Sequence, residues 1–108
     1  MDFNNPPGKI FLNNKYVDSS NASFSILSHS LHFASSVFEG IRIYNRKPFF
    51  IHSHLKRLKD SCELMGLKLD FNESQLIEIC RKIIKFNNLE FGYLRPIVFR
   101  GPGSMAPE

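Results

Sequence analysis

The chain has no tryptophan, only two cysteines, and no apolar run long enough to cross a bilayer. Cys62 and Cys80 stand alone with no CxxC, so neither zinc nor redox chemistry is suggested. Their positions within apolar helix faces predict buried free thiols. The polar, breaker-rich start, Met1–Asp2–Phe3–Asn4–Asn5–Pro6–Pro7–Gly8, lacks the basic and apolar segments of a secretory signal. The NxS triplets at Asn21 and Asn72 then carry no meaning for glycosylation. The net charge is +4, yet no run of five or more basic residues occurs, which argues against nucleic acid as a partner. A cytoplasmic protein without nucleic-acid or membrane partners is the simplest reading.

What is present suits one globular domain. The 108 residues are 43% hydrophobic and 22% charged, and 11 of them are phenylalanine. Residues 1–8 read as a flexible lead, 9–100 as the domain and 101–108 as the start of a linker. Lys9–Ile10–Phe11–Leu12 and Lys15–Tyr16–Val17 flank Asn13–Asn14, a two-residue hairpin turn. Val37 to Tyr44 reads as one strand, and Asn45–Arg46–Lys47–Pro48 as a turn.

Two helices follow. Ile51, Leu55, Leu58, Cys62 and Met65 recur at spacings of four and three, and Gly66 is placed to end that helix. Asn72 and Gln75 form a capping box for the second, with Phe71 and Leu76 as a hydrophobic staple. Leu76, Ile79, Cys80, Ile83 and Ile84 supply its buried face, and Asn87–Asn88 ends it. Tyr93 to Arg100 is a β-type run interrupted by Pro96, which places it at an edge or a bulge. Strands, two helices and a further strand predict an α+β domain, a mostly antiparallel sheet with both helices on one face.

Several residues could carry chemistry. Tyr93 and Arg95 are two apart on a strand and leave the same face, where a phenol and a guanidinium can receive a carboxylate. Arg57 lies beside the apolar stripe of the first helix and could grip a phosphate, with Lys56 and Lys59 adding field. By spacing alone, the reading of each as an ordinary solvated residue is the favoured one. Phe33 and Phe38 flank the small residues Ala34–Ser35–Ser36 and could wall an apolar pocket or belong to the core. His29-x-x-His32 and His52-x-His54 lack carboxylate or cysteine partners at ligand spacing, so no metal is expected. Glu39 beside Gly40 receives no role from sequence.

Four blocks, taken in order, say more. They are His29–Ser30–Leu31–His32–Phe33, Val37–Phe38–Glu39–Gly40–Ile41–Arg42, His54–Leu55–Lys56–Arg57–Leu58 and Tyr93–Leu94–Arg95–Pro96. Together they resemble the N-terminal domain of class-IV, fold-type-IV aminotransferases, which use pyridoxal 5'-phosphate. The second and fourth blocks resemble the branched-chain group. D-amino-acid aminotransferases and aminodeoxychorismate lyases differ in both.

The resemblance implies that Arg57 binds the cofactor phosphate. It implies that Tyr93 and Arg95 receive the substrate carboxylate, and that Phe33 and Phe38 wall the side-chain pocket. It also implies a homodimeric parent that exchanges an amino group between leucine, isoleucine or valine and 2-oxoglutarate. The lysine that forms the Schiff base, and the glutamate that pairs with the pyridine nitrogen, belong to a C-terminal domain in that family. None of the eight lysines here matches the first. No catalytic residue is therefore expected in this chain, and alone it should not transaminate. Phe33 stands where most members carry tyrosine. Two alternatives remain: a non-catalytic remnant of a split gene, and a D-amino-acid aminotransferase or other class-IV enzyme.

Overall fold

The computed structural model describes residues 7–28, 30–31 and 34–101. Most of the expected N-terminal lead and C-terminal exit, together with His29, His32 and Phe33, lies outside the described residues. The chain opens on a hairpin, β1 (Lys9–Leu12) against β2 (Lys15–Asp18). Asn13 and Asn14 turn it with φ of 49° and 71°, as a tight primed turn requires. A single 3-10 turn, Ser19–Asn21, leads away from it.

The central framework is an antiparallel ribbon. Its strands are β3 (Ser36–Phe38), β4 (Ile41–Tyr44), β5 (Lys47–Pro48), β6 (Gly92–Leu94) and β7 (Ile97–Phe99). β3 pairs with β7, while β4 lies between β5 and β6. The single strand expected over Val37–Tyr44 is thus divided at Glu39–Gly40, and the run from Tyr93 is divided at Arg95–Pro96. The register survives the division, since Phe38 faces Ile97 on one side and Ile41 faces Leu94 on the other. No residue is inserted. Pro96 has no N–H to offer the ladder, but its carbonyl accepts from the Glu39 N–H at 3.1 Å. The expected four-residue turn is also shorter. Asn45 and Arg46 make it at positive φ, and Lys47–Pro48 returns as β5 opposite Tyr44 and Ile43.

Helix α1 (Ile51–Met65) starts directly after Phe50, whose φ is 53°. At its end Gly66, at φ 68°, allows the Gly66 and Leu67 N–H groups to bond the Glu63 and Cys62 carbonyls. Helix α2 (Glu73–Phe86) carries the capping box foreseen, with the Asn72 side chain accepting from the Gln75 N–H and Gln75 returning the bond. Asn87 closes α2 and ties it to the hairpin: its side chain donates to the Ile83 and Lys9 carbonyls and accepts from the Lys9 N–H.

Both helices cover one face of the ribbon. Ile41 meets Ile51, Leu55 and Leu58 of α1 and Ile77 and Cys80 of α2 in one buried cluster. Arg42 and Tyr44, on the alternate positions of β4, face away. The α+β arrangement is as expected, but two helix faces are shifted. Met65, in the last turn of α1, is exposed. In α2 the deeply buried positions are Ile77, Cys80 and Ile84, with Leu76, Ile79 and Ile83 half-buried beside them. Ile77 joins the buried cluster of Ile41, Ile51, Leu55 and Leu58, while the hairpin meets α2 at another side, where Tyr16 packs edge-on against Phe86. Cys62 and Cys80 are free and buried as expected, and burial pushes the Cys80 thiol up to about 11.

Candidate functional site

The break in the ribbon is where the chemistry collects. On the core side, positions 37, 39, 41 and 43 share one face by strand alternation. Ile41 and Ile43 fill it with hydrocarbon, but Glu39 brings a carboxylate that is only 6% exposed. A buried charge needs partners, and α1 supplies two, at positions 54 and 57, one helical turn apart. Arg57 grips Glu39 side-on, Nε at 3.0 and 2.9 Å from the two oxygens and Nη2 at 2.7 Å from Oε1. His54 Nδ1 lies 2.8 Å from the same Oε1. With Glu39 ionised, that nitrogen must be the donor.

The electrostatics follow from these contacts. The Arg57 hydrogen bonds hold the Glu39 carboxyl below its usual range against the opposing effect of burial, and His54 adds to the lowering. Arg57 itself is raised by the same pair. Arg57 has no other hydrogen-bond partner among the described residues, and its side chain is 68% exposed. Glu39 therefore occupies one edge of the guanidinium, and the Nη1–Nη2 edge is left for an anion. Phe50, Ser53, His54 and Arg57 line an open depression there. The nearby field is weaker than sequence suggests, because Lys56 is engaged with Asp60 at 3.4 Å.

On the opposite side of the break, Phe38, Tyr93 and Arg95 meet. The Arg95 guanidinium lies 4.5 Å over the Phe38 ring, and its Nη2 donates to Tyr93 Oη at 3.3 Å. Tyr93 pairs across the ladder with Arg42. Gly40 makes this possible by its lack of a side chain: a Cβ there would sit 1.8 Å from Tyr93 Oη. The Tyr93 hydroxyl accepts from Arg95 and keeps its own proton to donate. Phe38 is more than half exposed, so it is a surface wall rather than core. Its proposed companion Phe33 lies outside the described residues.

The segment leading into β3 is pinned by Ser30. Its hydroxyl donates to the Ser35 carbonyl at 2.6 Å and accepts from the Arg100 N–H at 2.6 Å. Arg100 in turn bonds the Gly66 carbonyl at the end of α1. Of the histidines, His52 bonds Glu73 on the surface, and no group of three or more metal-type side chains occurs among the described residues.

Sequence reading missed Glu39 and His54. A signal was available, because strand alternation from Ile41 and Ile43 puts Glu39 on the core face.

A family model described as amino-transferase class IV matches residues 36–108. The chain belongs to this family. It is 38% identical over 96 residues to a probable branched-chain-amino-acid aminotransferase of Rickettsia conorii, covering 89% of this chain and 33% of that relative. It superposes on the crystal structure of the Escherichia coli branched-chain amino acid aminotransferase with a TM-score of 0.88 at 35% identity, covering 94% of this chain and 34% of the other. The T.th. branched-chain amino acid aminotransferase complexed with N-(5'-phosphopyridoxyl)-L-glutamate matches with a TM-score of 0.87 at 31% identity, covering 94% of this chain and 35% of that one. The class-IV chain thus spans about a third of the length of the relatives it matches.

Proposed function

We propose that the chain is the N-terminal portion of a branched-chain aminotransferase, which moves an amino group between leucine, isoleucine or valine and 2-oxoglutarate. Residues 9–100 form its N-terminal domain, and 101–108 begin the interdomain linker. The observation that carries this reading is the cluster at the ribbon break. A carboxylate receptor, Tyr93 with Arg95, stands on an aromatic wall, Phe38, and a guanidinium with a vacant edge, Arg57, stands on the other side.

The cofactor is pyridoxal 5'-phosphate, whose ring serves as an electron sink when bound. The residues present fit one part of it. The exposed Nη1–Nη2 edge of Arg57 matches two oxygens of a phosphate monoester. Arg95 and the Tyr93 hydroxyl receive the substrate carboxylate, giving it two kinds of donor and a fixed orientation. Phe38 presents apolar surface to a branched side chain, a role that the family resemblance also implies for Phe33. None of these groups moves a proton at the reacting carbon, so the chain binds and orients but does not turn over.

Among the described residues no helix is long and apolar enough to cross a membrane. The protein works in the cytoplasm on small molecules, as a homodimer, with neither nucleic acid nor membrane as partner.

Titration decides the matter. The chain should bind pyridoxal 5'-phosphate more tightly than pyridoxal, and Arg57→Ala should erase that preference. It should show no valine turnover by itself. A D-amino acid preference in the full-length parent, or equal affinity for pyridoxal and its phosphate, would overturn the reading.

A further inference from the structure

Glu39 is the one carboxylate among the described residues that is buried, and it faces a guanidinium proposed to bind an anion. On charge alone this is the wrong residue to find there. A negative group beside an anion site repels the ligand, and a buried carboxylate is screened less than an exposed one. A purely electrostatic design would leave it out. We propose that Glu39 is a positioning residue for phosphate recognition, holding the Arg57 guanidinium in the one rotation that turns its Nη1–Nη2 edge outward.

The geometry supplies the reasons. Glu39 takes Nε and Nη2, the side-on edge, through three contacts of 2.7 to 3.0 Å. A bidentate contact fixes the plane of the guanidinium as well as its place. Arg57 is otherwise exposed, and a free arginine on a helix surface samples many rotamers. Glu39 is itself fixed, being buried on the strand break, with its backbone N–H bonded to Pro96 and its Oε1 also held by His54. The order therefore runs from the ribbon, through Glu39, to Arg57. An arginine ordered in advance does not lose its rotamer freedom when the ligand arrives, and that saving amounts to about 3- to 10-fold in affinity. His54 lines the same depression and is held by the same oxygen as an Nδ1–H donor, which leaves its Nε2 for the ligand side.

The inference rests on the reading of Arg57 as the phosphate anchor, and its test separates the two. Affinity for inorganic phosphate and for pyridoxal 5'-phosphate is measured by calorimetry on the unaltered chain, Glu39→Gln, Arg57→Ala and the double variant. Positioning predicts that Glu39→Gln weakens both by about 3- to 10-fold and that the double variant is no weaker than Arg57→Ala. Simple charge removal predicts the opposite sign, and tighter binding by Glu39→Gln would overturn the proposal. If Arg57→Ala weakens binding while Glu39→Gln does not, positioning fails alone. If Arg57→Ala has no effect, the phosphate reading fails and takes the proposal with it. Should Glu39→Gln not fold, guanidinium nitrogen NMR of the unaltered chain gives the answer. Separate Nη1 and Nη2 resonances, both moved by phosphate while Nε is not, are expected. A single averaged Nη signal would refute it.

Discussion

The two sides of the ribbon break carry guanidinium groups of opposite character. On the core side, Arg57 is tied to a carboxylate that is 6% exposed, and that carboxylate has no freedom to leave. On the outer side, Arg95 rests on Phe38 and touches Tyr93 at 3.3 Å, and both of those rings are more than half exposed. The first site is held by the fold, whereas the second is held mostly by its own members. A site for an invariant group such as a phosphate gains from being built in advance. On the proposed function, the outer site receives both a branched amino acid and a dicarboxylate, and gains from adaptable walls. The same backbone interruption serves both, because residues 38 and 39 point to opposite faces.

Changes to the two sides should separate them. The largest effect is expected beneath the inner site. Leu55→Ala removes a core side chain that is 2% exposed, on the helix that carries His54 and Arg57, and should cost about 2–5 kcal/mol in urea unfolding. A loss below 1 kcal/mol would show that the inner side is no better packed than the outer.

Acid should act next, and only on the inner side. The folded pKa of Glu39 is lowered, chiefly by Arg57, so its contribution is complete above the ordinary glutamate range, about 4.3, and is lost as pH falls through the folded value. The melting temperature of the unaltered chain should fall more steeply below pH 4.3 than that of Glu39→Gln. Parallel curves would remove Glu39 from the acid response.

Gly40→Ala tests the outer side. Its Cβ would collide with Tyr93 Oη, and the exposed phenol can swing away. Affinity for a branched carboxylate such as 4-methylvalerate should drop several-fold, while stability changes by no more than about 1 kcal/mol, the usual range for such a change. Phosphate affinity should not change. The smallest effect is expected of Tyr93→Phe, which removes one exposed hydroxyl and should shift stability by less than about 0.5 kcal/mol. A larger shift would mean that Tyr93 supports the ribbon as well as the ligand.

Much of the local structure was legible because it depends on neighbours in the chain. The Asn13–Asn14 turn, the Asn72–Gln75 box and the Gly66 stop all follow from backbone preferences that act over a few residues. The errors lie where distant segments compete. Val37–Tyr44 has the composition of one strand, and nothing local announces that Glu39 and Gly40 will leave the ladder opposite Arg95 and Pro96. The burial of Ile77 depends on Ile41, Ile51 and Leu55, which only long-range packing brings to it. Of the site, Arg57, Tyr93 and Arg95 are candidates by residue type, and their roles come only from the family resemblance. Glu39 was left without a role because a lone carboxylate has many possible partners.

The sequence by itself determined the two helices with their caps, the first hairpin turn, the buried thiols and the kinship to class-IV aminotransferases, since each is written in residue types at short spacing. Only the tertiary structure decided which side chains meet. It joined position 39 to positions 54 and 57, and 38 to 95, because packing α1 on β3 and pairing β3 with β7 are long-range events. Residue order alone cannot set which face a carboxylate takes or which edge of an arginine it leaves free.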